Sequence, residues 1–338
     1  MIYYRPIAMH DSLRTEGAQT LAGGWCWFSH AERIERDGRR HLISAAEIPP
    51  DIRARLTASR PAIAGLPMDR PRLMGILNTT PDSFSDGGLY NAPDAAFARA
   101  RAMIAEGADL LDLGGESTRP GADDVPISEE IARTAPVIAA LRRAGVQTPL
   151  SIDTRKAAVA AAALQVGANM VNDVAALQFD PALSPLVAAA GVPVCLMHSI
   201  GTPKTMQSDP RYDDVLLDVY DALSARIAAA EQAGIARKNI LIDPGIGFGK
   251  TVAHNLALIR GLSLFHGLGC ALLLGASRKR FIGTLTGADI AEARLPGSLA
   301  VALAGVAQGV QMLRIHDVAA TRQALTLWQS VTTEGPTR

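Results

Sequence analysis

GADLLDLGGESTRPG, residues 107–121, is an apolar run that stops on Glu116, Ser117, Thr118 and Arg119. The same pattern recurs along the chain. RLMGIL stops at Asn78, PLSI at Asp153, NMV at Asn172 and Asp173, and VPVCLM at His198. NILI stops at Asp243, CALLLGA at Ser277, Arg278 and Lys279, and QMLRI at His316. Ala- and Leu-rich stretches with helical spacing separate the runs. Short apolar runs alternating with helices mark βα units. Eight units predict a closed parallel (β/α)8 TIM barrel, whose chemistry sits at the C-terminal ends of its strands. Fold and site are thus read from the same residues.

The chain has 338 residues, 48% of them hydrophobic, which is ample for a barrel of about 250 residues plus an extension. Lys and Arg number 33 and so do Asp and Glu, so net charge is zero. Nothing points to nucleic acid or a membrane surface, and an anionic ligand must be held by local charge. Cys26, Cys195 and Cys270 are far apart and odd in number, the pattern of a reduced, cytoplasmic protein with no metal-ligand spacing. No run has signal-peptide character or the length to span a bilayer.

The expected division is an extension at 1–70 and a barrel at 71–335. In the extension, GGWCWFSHAERIE and RRHLIS flank Asp37-Gly38 and predict a β-hairpin. It holds no titratable cluster and reads as a packing appendage over one end of the barrel. Helices are expected at 92–106, 128–144, 155–166, 180–190, 213–234, 251–262, 293–309 and 317–331. KRFIGTLTG forms an extra segment before the seventh of these.

Several strand ends carry chemistry. NTTPDSFSDGGLYN, residues 78–91, is longer than the usual βα loop and rich in side-chain oxygens, as binding loops are. Asn78 suits a hard cation or a phosphate oxygen. Arg119, presented by Pro120-Gly121, offers a planar fork to a phosphate or carboxylate; read structurally, it is an exposed arginine. DPGIGFGKT suggests a P-loop but fails, because Pro244 stands where the first glycine belongs and supplies no N–H. It reads instead as a glycine-rich turn that lets a ligand approach the backbone, with Phe248 as a wall. Asp153, Asn172 and Asp243 converge in a barrel mouth, with Lys279 as a partner for the buried carboxylates. They form either a structural network or a pocket for a flat heterocycle with a guanidine-like edge, and a pterin and a purine both fit. Arg314 and His316 share a strand face, and with Asn78 they suggest an anionic subsite. His254 lies in a helix away from this chemistry. His198 is balanced between ligand contact and core residue.

Taken together, MGILNTTPDSFSDGG, GADLLDLGGESTRPG, SIDT, NDV, MH, DPGIGFGK, SRKRFIG and RIHDV resemble the dihydropteroate synthase family, in the family's order over residues 72–331. The resemblance implies an enzyme that condenses 6-hydroxymethyl-7,8-dihydropterin pyrophosphate with para-aminobenzoate, with Mg²⁺ as cofactor and a homodimeric assembly. It assigns Asp153, Asn172, Met197, Asp243, Gly247 and Lys279 to the pterin. Asn78, Thr118, Arg314 and His316 match the pyrophosphate end, with Asn78 toward the metal. Thr118, Arg119, Pro120, Phe248 and Ser277 match the aminobenzoate region. Asp82, Ser83, Phe84 and Asp86 match the first loop, and the catalytic set is Lys279, Asp82, Asp86 and Arg119. The implied mechanism is dissociative, with loops keeping water from a cationic intermediate.

Two alternatives share the fold. A pterin-binding methyltransferase domain has the carboxylates but no pyrophosphate subsite, so Arg314 and His316 argue against it. A non-catalytic, synthase-like binding protein would be expected to carry degenerate loops, and both loops here match the family.

Overall fold

The computed structural model describes residues 2–79, 92–117, 124–201 and 205–332. At the N-terminus, β1 (Ile2–Pro6) precedes a short antiparallel pair, β2 (Gln19–Thr20) and β3 (Trp27–Phe28). Next come β4 (His30–Glu35) and β5 (Arg40–Ser44), and the sheet order is β1-β4-β5. The expected hairpin is β4–β5, turned at Asp37-Gly38. Gly38 has φ +90° and the Asp37 carboxylate accepts from the Arg39 N–H, which is why this pair of residues reverses the chain. The Ser44 hydroxyl caps a short 3₁₀ turn, and α1 (Pro50–Thr57) starts with proline in its first turn, where no N–H is needed.

The remainder alternates strand and helix. The strands are β6 (Arg72–Asn78), β7 (Leu110–Gly114), β8 (Leu150–Asp153), β9 (Met170–Asp173), β10 (Val194–Met197), β11 (Ile240–Asp243), β12 (Ala271–Leu274) and β13 (Met312–Ile315). All neighbours are parallel, and β13 pairs with β6 to close the barrel. The helices are α2 (Ala92–Ala105), α3 (Ile127–Arg143), α4 (Ala157–Gln165), α5 (Leu183–Ala190), α6 (Val215–Gln232), α7 (Val252–Arg260), α8 (Arg280–Thr286), α9 (Leu295–Val306) and α10 (Val318–Thr332). They lie close to the expected bounds, and α8 is the extra KRFIGTLTG segment. Among the described residues, no helix is long and apolar enough to cross a membrane.

Strand periodicity sorts the interior into layers. Met74, Leu110, Met170, Cys195, Leu241, Leu273 and Met312 form one apolar cluster near the N-terminal ends of the strands. Ile63 and Met68, just ahead of the barrel, pack into the same cluster and close that end. Two residues further along the strands, on the same inward face, come Asp112, Asn172, Met197, Asp243 and Arg314. The apolar floor therefore ends where the polar mouth begins.

The extension is tied to the outer helices. The Tyr3 hydroxyl donates to Asp221 (2.8 Å), and Arg36 pairs with Asp218 and Asp221. The Trp25 indole donates to the Val306 carbonyl (2.9 Å), and Ser263 to that of Pro6 (2.7 Å). Arg60, buried and without a carboxylate partner among the described residues, donates to the His266 carbonyl at 2.9 Å. Burial lowers the Arg60 pKa to about 10.

Candidate functional site

One buried network spans the barrel mouth. Arg314, on β13, donates through Nε to Asp112 Oδ2 (2.6 Å) and through Nη2 to Asp153 Oδ2 (2.7 Å). Asn172, on β9, donates through Nδ2 to the same Asp112 oxygen at 2.8 Å. Strands β7, β8, β9 and β13 thus meet through four side chains. Asp153 and Asn172 come together as expected, but the cation paired with Asp153 is Arg314. Lys279, the expected partner of the buried carboxylates, acts on Asp243, where its charge opposes the rise caused by burial. Arg314 reaches across because it sits two residues beyond Met312 on the inward face, level with the carboxylates.

Asp112 is the residue that sequence reading passed over. It lies inside the DLLDLGG run, not at its end. A carboxylate within a buried parallel strand must find a partner, and that was the available signal.

The electrostatics follow from burial. Asp153 is raised to about 7 by desolvation, against the pull of Arg314. Asp243 is also raised by desolvation, although its Oδ1 accepts from the Gly245 N–H at 2.7 Å. Burial would lower Arg314, but Asp112 and Asp153 outweigh it and hold the guanidinium charged. Asp153 Oδ1 is buried and, among the described residues, has no hydrogen-bond partner. Such an oxygen calls for a donor from outside the protein.

The floor of the mouth is bare backbone at two places. A methyl at Gly114 would lie 3.7 Å from both Asn78 Oδ1 and Asp153 Oδ2. One at Gly275 would lie 3.3 Å from Asp243 Oδ2. These glycines leave room beside the acceptors for a flat group.

DPGIGFGK forms a turn between β11 and α7. Gly245, Gly247 and Gly249 all have positive φ (+70°, +81° and +60°), which glycine adopts without strain. Gly247 donates to Asn255 Oδ1 (2.7 Å). The Lys279 ammonium lies 4.0 Å from the centroid of the Phe248 ring, a cation–π contact. Behind the turn, Lys250 contacts His198 Nδ1 (3.0 Å) and donates to the Phe248 carbonyl (2.9 Å). Burial lowers Lys250 to about 7; burial and then Lys250 lower His198 to about 3. His198 is therefore a buried neutral histidine holding this lysine. His254 caps α7 with Thr251.

The end of β13 meets the end of β12. His316 Nδ1 lies 3.1 Å from Ser277 Oγ, which also accepts from the His316 N–H at 3.2 Å. Between Ser277 and Lys279, Arg278 adopts φ +57° and makes a bidentate pair with Asp317 (2.9 and 2.5 Å). That pair fixes a left-handed residue whose neighbours point to the mouth.

Asp82, Ser83, Phe84, Asp86, Thr118, Arg119 and Pro120 lie outside the described residues. Residues 116, 124 and 125 meet in an ionic cluster that is buried at Glu116, Arg155 and Lys156 and exposed at Asp124. Glu116 accepts from Arg155 (2.9 Å), Lys156 (2.5 Å) and the Val125 N–H (2.9 Å), and Asp124 accepts from Arg155 (2.5 Å). Among the described residues, no group of three or more His, Cys, Asp or Glu is placed to hold a metal ion.

Comparison with known proteins bears on this geometry. The family described as "Pterin binding enzyme" matches residues 74–316. Dihydropteroate synthase of Neisseria meningitidis serogroup B is 49% identical over 269 residues, 78% of this chain and 94% of that protein. Its counterpart in Escherichia coli K12 is 46% identical over 260 residues, 77% of this chain and 91% of that protein. Among solved structures, Xanthomonas albilineans dihydropteroate synthase with 4-aminobenzoic acid aligns with a TM-score of 0.77. It is 50% identical and covers 82% of this chain and 99% of its own. The same enzyme in complex with 7,8-dihydropteroate aligns at TM-score 0.73 and 48% identity, covering 80% and 97%.

Proposed function

Since this chain belongs to the dihydropteroate synthase family, we infer that it condenses 6-hydroxymethyl-7,8-dihydropterin pyrophosphate with para-aminobenzoate. The products are 7,8-dihydropteroate and pyrophosphate, in folate biosynthesis. The observation that carries the reading is the acceptor cluster of Asp153, Asn172 and Asp243 beside glycine floors, with a partnerless Asp153 oxygen. The amino-pyrimidine edge of a pterin supplies the donors that cluster lacks.

In this reading Asp153, Asn172 and Asp243 accept from the pterin edge, and Met197 and Gly247 line its faces. Lys279, held beside Phe248, donates to the pterin carbonyl and ring nitrogen and bridges toward the aminobenzoate. Asn78, Thr118, Arg314 and His316 serve the diphosphate. Thr118, Arg119, Pro120, Phe248 and Ser277 serve the aminobenzoate, and Asp82 and Asp86 belong to the first loop.

Mg²⁺ is the proposed cofactor. This ion commonly takes one or two protein oxygens together with substrate phosphates, and the Asn78 amide oxygen beside Asp153 suits that donor set. When bound, it would neutralise charge on the leaving diphosphate. The methylene C–O bond breaks first, the dihydropterin delocalises the positive charge, and the neutral aniline nitrogen then forms the C–N bond and releases its proton. Lys279, Arg119 and the two loops would exclude water from that cation.

A homodimer, a cytoplasmic location and a division into a 1–70 appendage and a 71–335 barrel complete the proposal. Three free, buried cysteines suit a reducing compartment.

The deciding experiment incubates the protein with the pterin pyrophosphate and Mg²⁺, with and without para-aminobenzoate. Dihydropteroate and pyrophosphate should appear in equal amounts when the aminobenzoate is present. Pterin binding with no product would favour the non-catalytic alternative, and methyl transfer from methyltetrahydrofolate would favour the methyltransferase.

A further inference from the structure

We propose that Asp112 is a positioning residue for pterin recognition, setting which end of the Asn172 amide faces the ligand and fixing the plane of the Arg314 guanidinium. The proposal rests on the pterin assignment of Asn172 above.

Asp112 has a fully buried side chain and reaches no solvent. It therefore acts through its neighbours. Its Oδ2 takes two donors at once, Asn172 Nδ2 at 2.8 Å and Arg314 Nε at 2.6 Å. An asparagine side chain has two ends of nearly equal shape and opposite hydrogen-bonding sense. Oδ2 accepts from both neighbours, so it selects the NH₂ end of Asn172. The carbonyl end is left for an incoming donor. Arg314 is held at Nε by Asp112 and at Nη2 by Asp153, and two contacts on one planar fork fix its orientation.

Removing the acceptor tests this. In Asp112→Leu no oxygen remains to hold the Asn172 NH₂ or the Arg314 Nε, so neither end of the Asn172 amide is selected. Affinity for 6-hydroxymethyl-7,8-dihydropterin, measured by calorimetry, should fall about tenfold or more. Asp112→Asn is the conservative rescue. Its amide oxygen can take the place of Asp112 Oδ2 and accept from both donors, while its NH₂ takes the place of Oδ1, which has no hydrogen-bond partner among the described residues. Pterin affinity in Asp112→Asn should stay within about threefold of the original protein.

A purely structural role for Asp112 would lower thermal stability in Asp112→Leu and leave the pterin affinity of the folded variant unchanged. Unchanged pterin affinity in Asp112→Leu overturns the proposal, and so does an Asp112→Asn variant that folds but binds as weakly as Asp112→Leu. An original protein that binds no pterin, or an Asn172→Ala variant that binds it undiminished, would remove the pterin assignment itself and the inference with it.

Discussion

At the scale of single residues, the turn after β11 separates two glycines with the same backbone conformation. A methyl on Gly245 would sit 1.8 Å from the His198 carbonyl oxygen, backbone that cannot move aside. A methyl on Gly247 would sit 3.1 Å from Lys279 Cδ, part of a flexible side chain. Gly245→Ala should therefore cost several kcal/mol, or abolish folding, in denaturant unfolding; Gly247→Ala should cost only about 1–3 kcal/mol for the left-handed backbone. Gly247→Ala should still displace Lys279 and raise KM for both substrates. Equal stability losses would show that close approach to His198 does not decide the first position. The turn was legible in the sequence, since Pro244 excluded a P-loop and the glycines implied close approach. The object approached was not legible. Gly245 makes room for a protein carbonyl from the end of β10, and tertiary contacts of that kind leave no mark on local spacing. Asp112 was hidden for a related reason: its partners, Asn172 and Arg314, lie on strands distant in sequence.

At the scale of elements, the barrel strands were legible because both faces are buried and each run stops on a polar residue. The segment AIAGLPM, residues 62–68, was not, because it is short, irregular and without periodicity. Yet Ile63 and Met68 are buried in the apolar cluster formed by the N-terminal ends of the strands. The extension is thus part of the barrel core, not only a cover for it. Met68→Ala should lower unfolding free energy by about 2–5 kcal/mol through the cavity it leaves. Because the floor lies at the opposite end from the mouth, kcat of the folded variant should match that of the original protein. Full stability in the variant would mean that the N-terminal residues contribute no packing to the barrel base. The hairpin at β4–β5 was readable from Asp37-Gly38, while the pairing of β1 with β4 joins segments too far apart for turn chemistry to reveal.

Across the whole molecule, burial pushes two kinds of group in opposite directions. His198 and His266 are both lowered to about 3, so the folded chain holds fewer protons on them than the unfolded chain below the usual histidine range. Their stabilising contribution is present above the unfolded pKa of about 6.5 and is lost as pH falls toward the folded values. Asp153 and Asp173 are raised, mainly by desolvation, to about 7 and about 6, well above the ordinary aspartate range. The folded chain therefore holds extra protons on them, and their contribution is present below the unfolded pKa and lost as pH rises through the folded values. Over the middle of the acid range the two pairs oppose each other and flatten the stability curve. Asp153→Asn removes one of the opposing groups. Relative to the original protein, this variant should become steadily more stable as pH rises from about 4 to about 7, by at most about 1.4 kcal/mol per pH unit, and level off above that. The attraction of Arg314 acts on the ionised carboxylate and is already contained in the Asp153 pKa, so it adds no separate pH-dependent contribution. Urea unfolding of both proteins at half-unit pH steps measures the difference directly. A difference that does not change with pH would mean that Asp153 ionises as an ordinary carboxylate, with the attraction of Arg314 cancelling the cost of its burial.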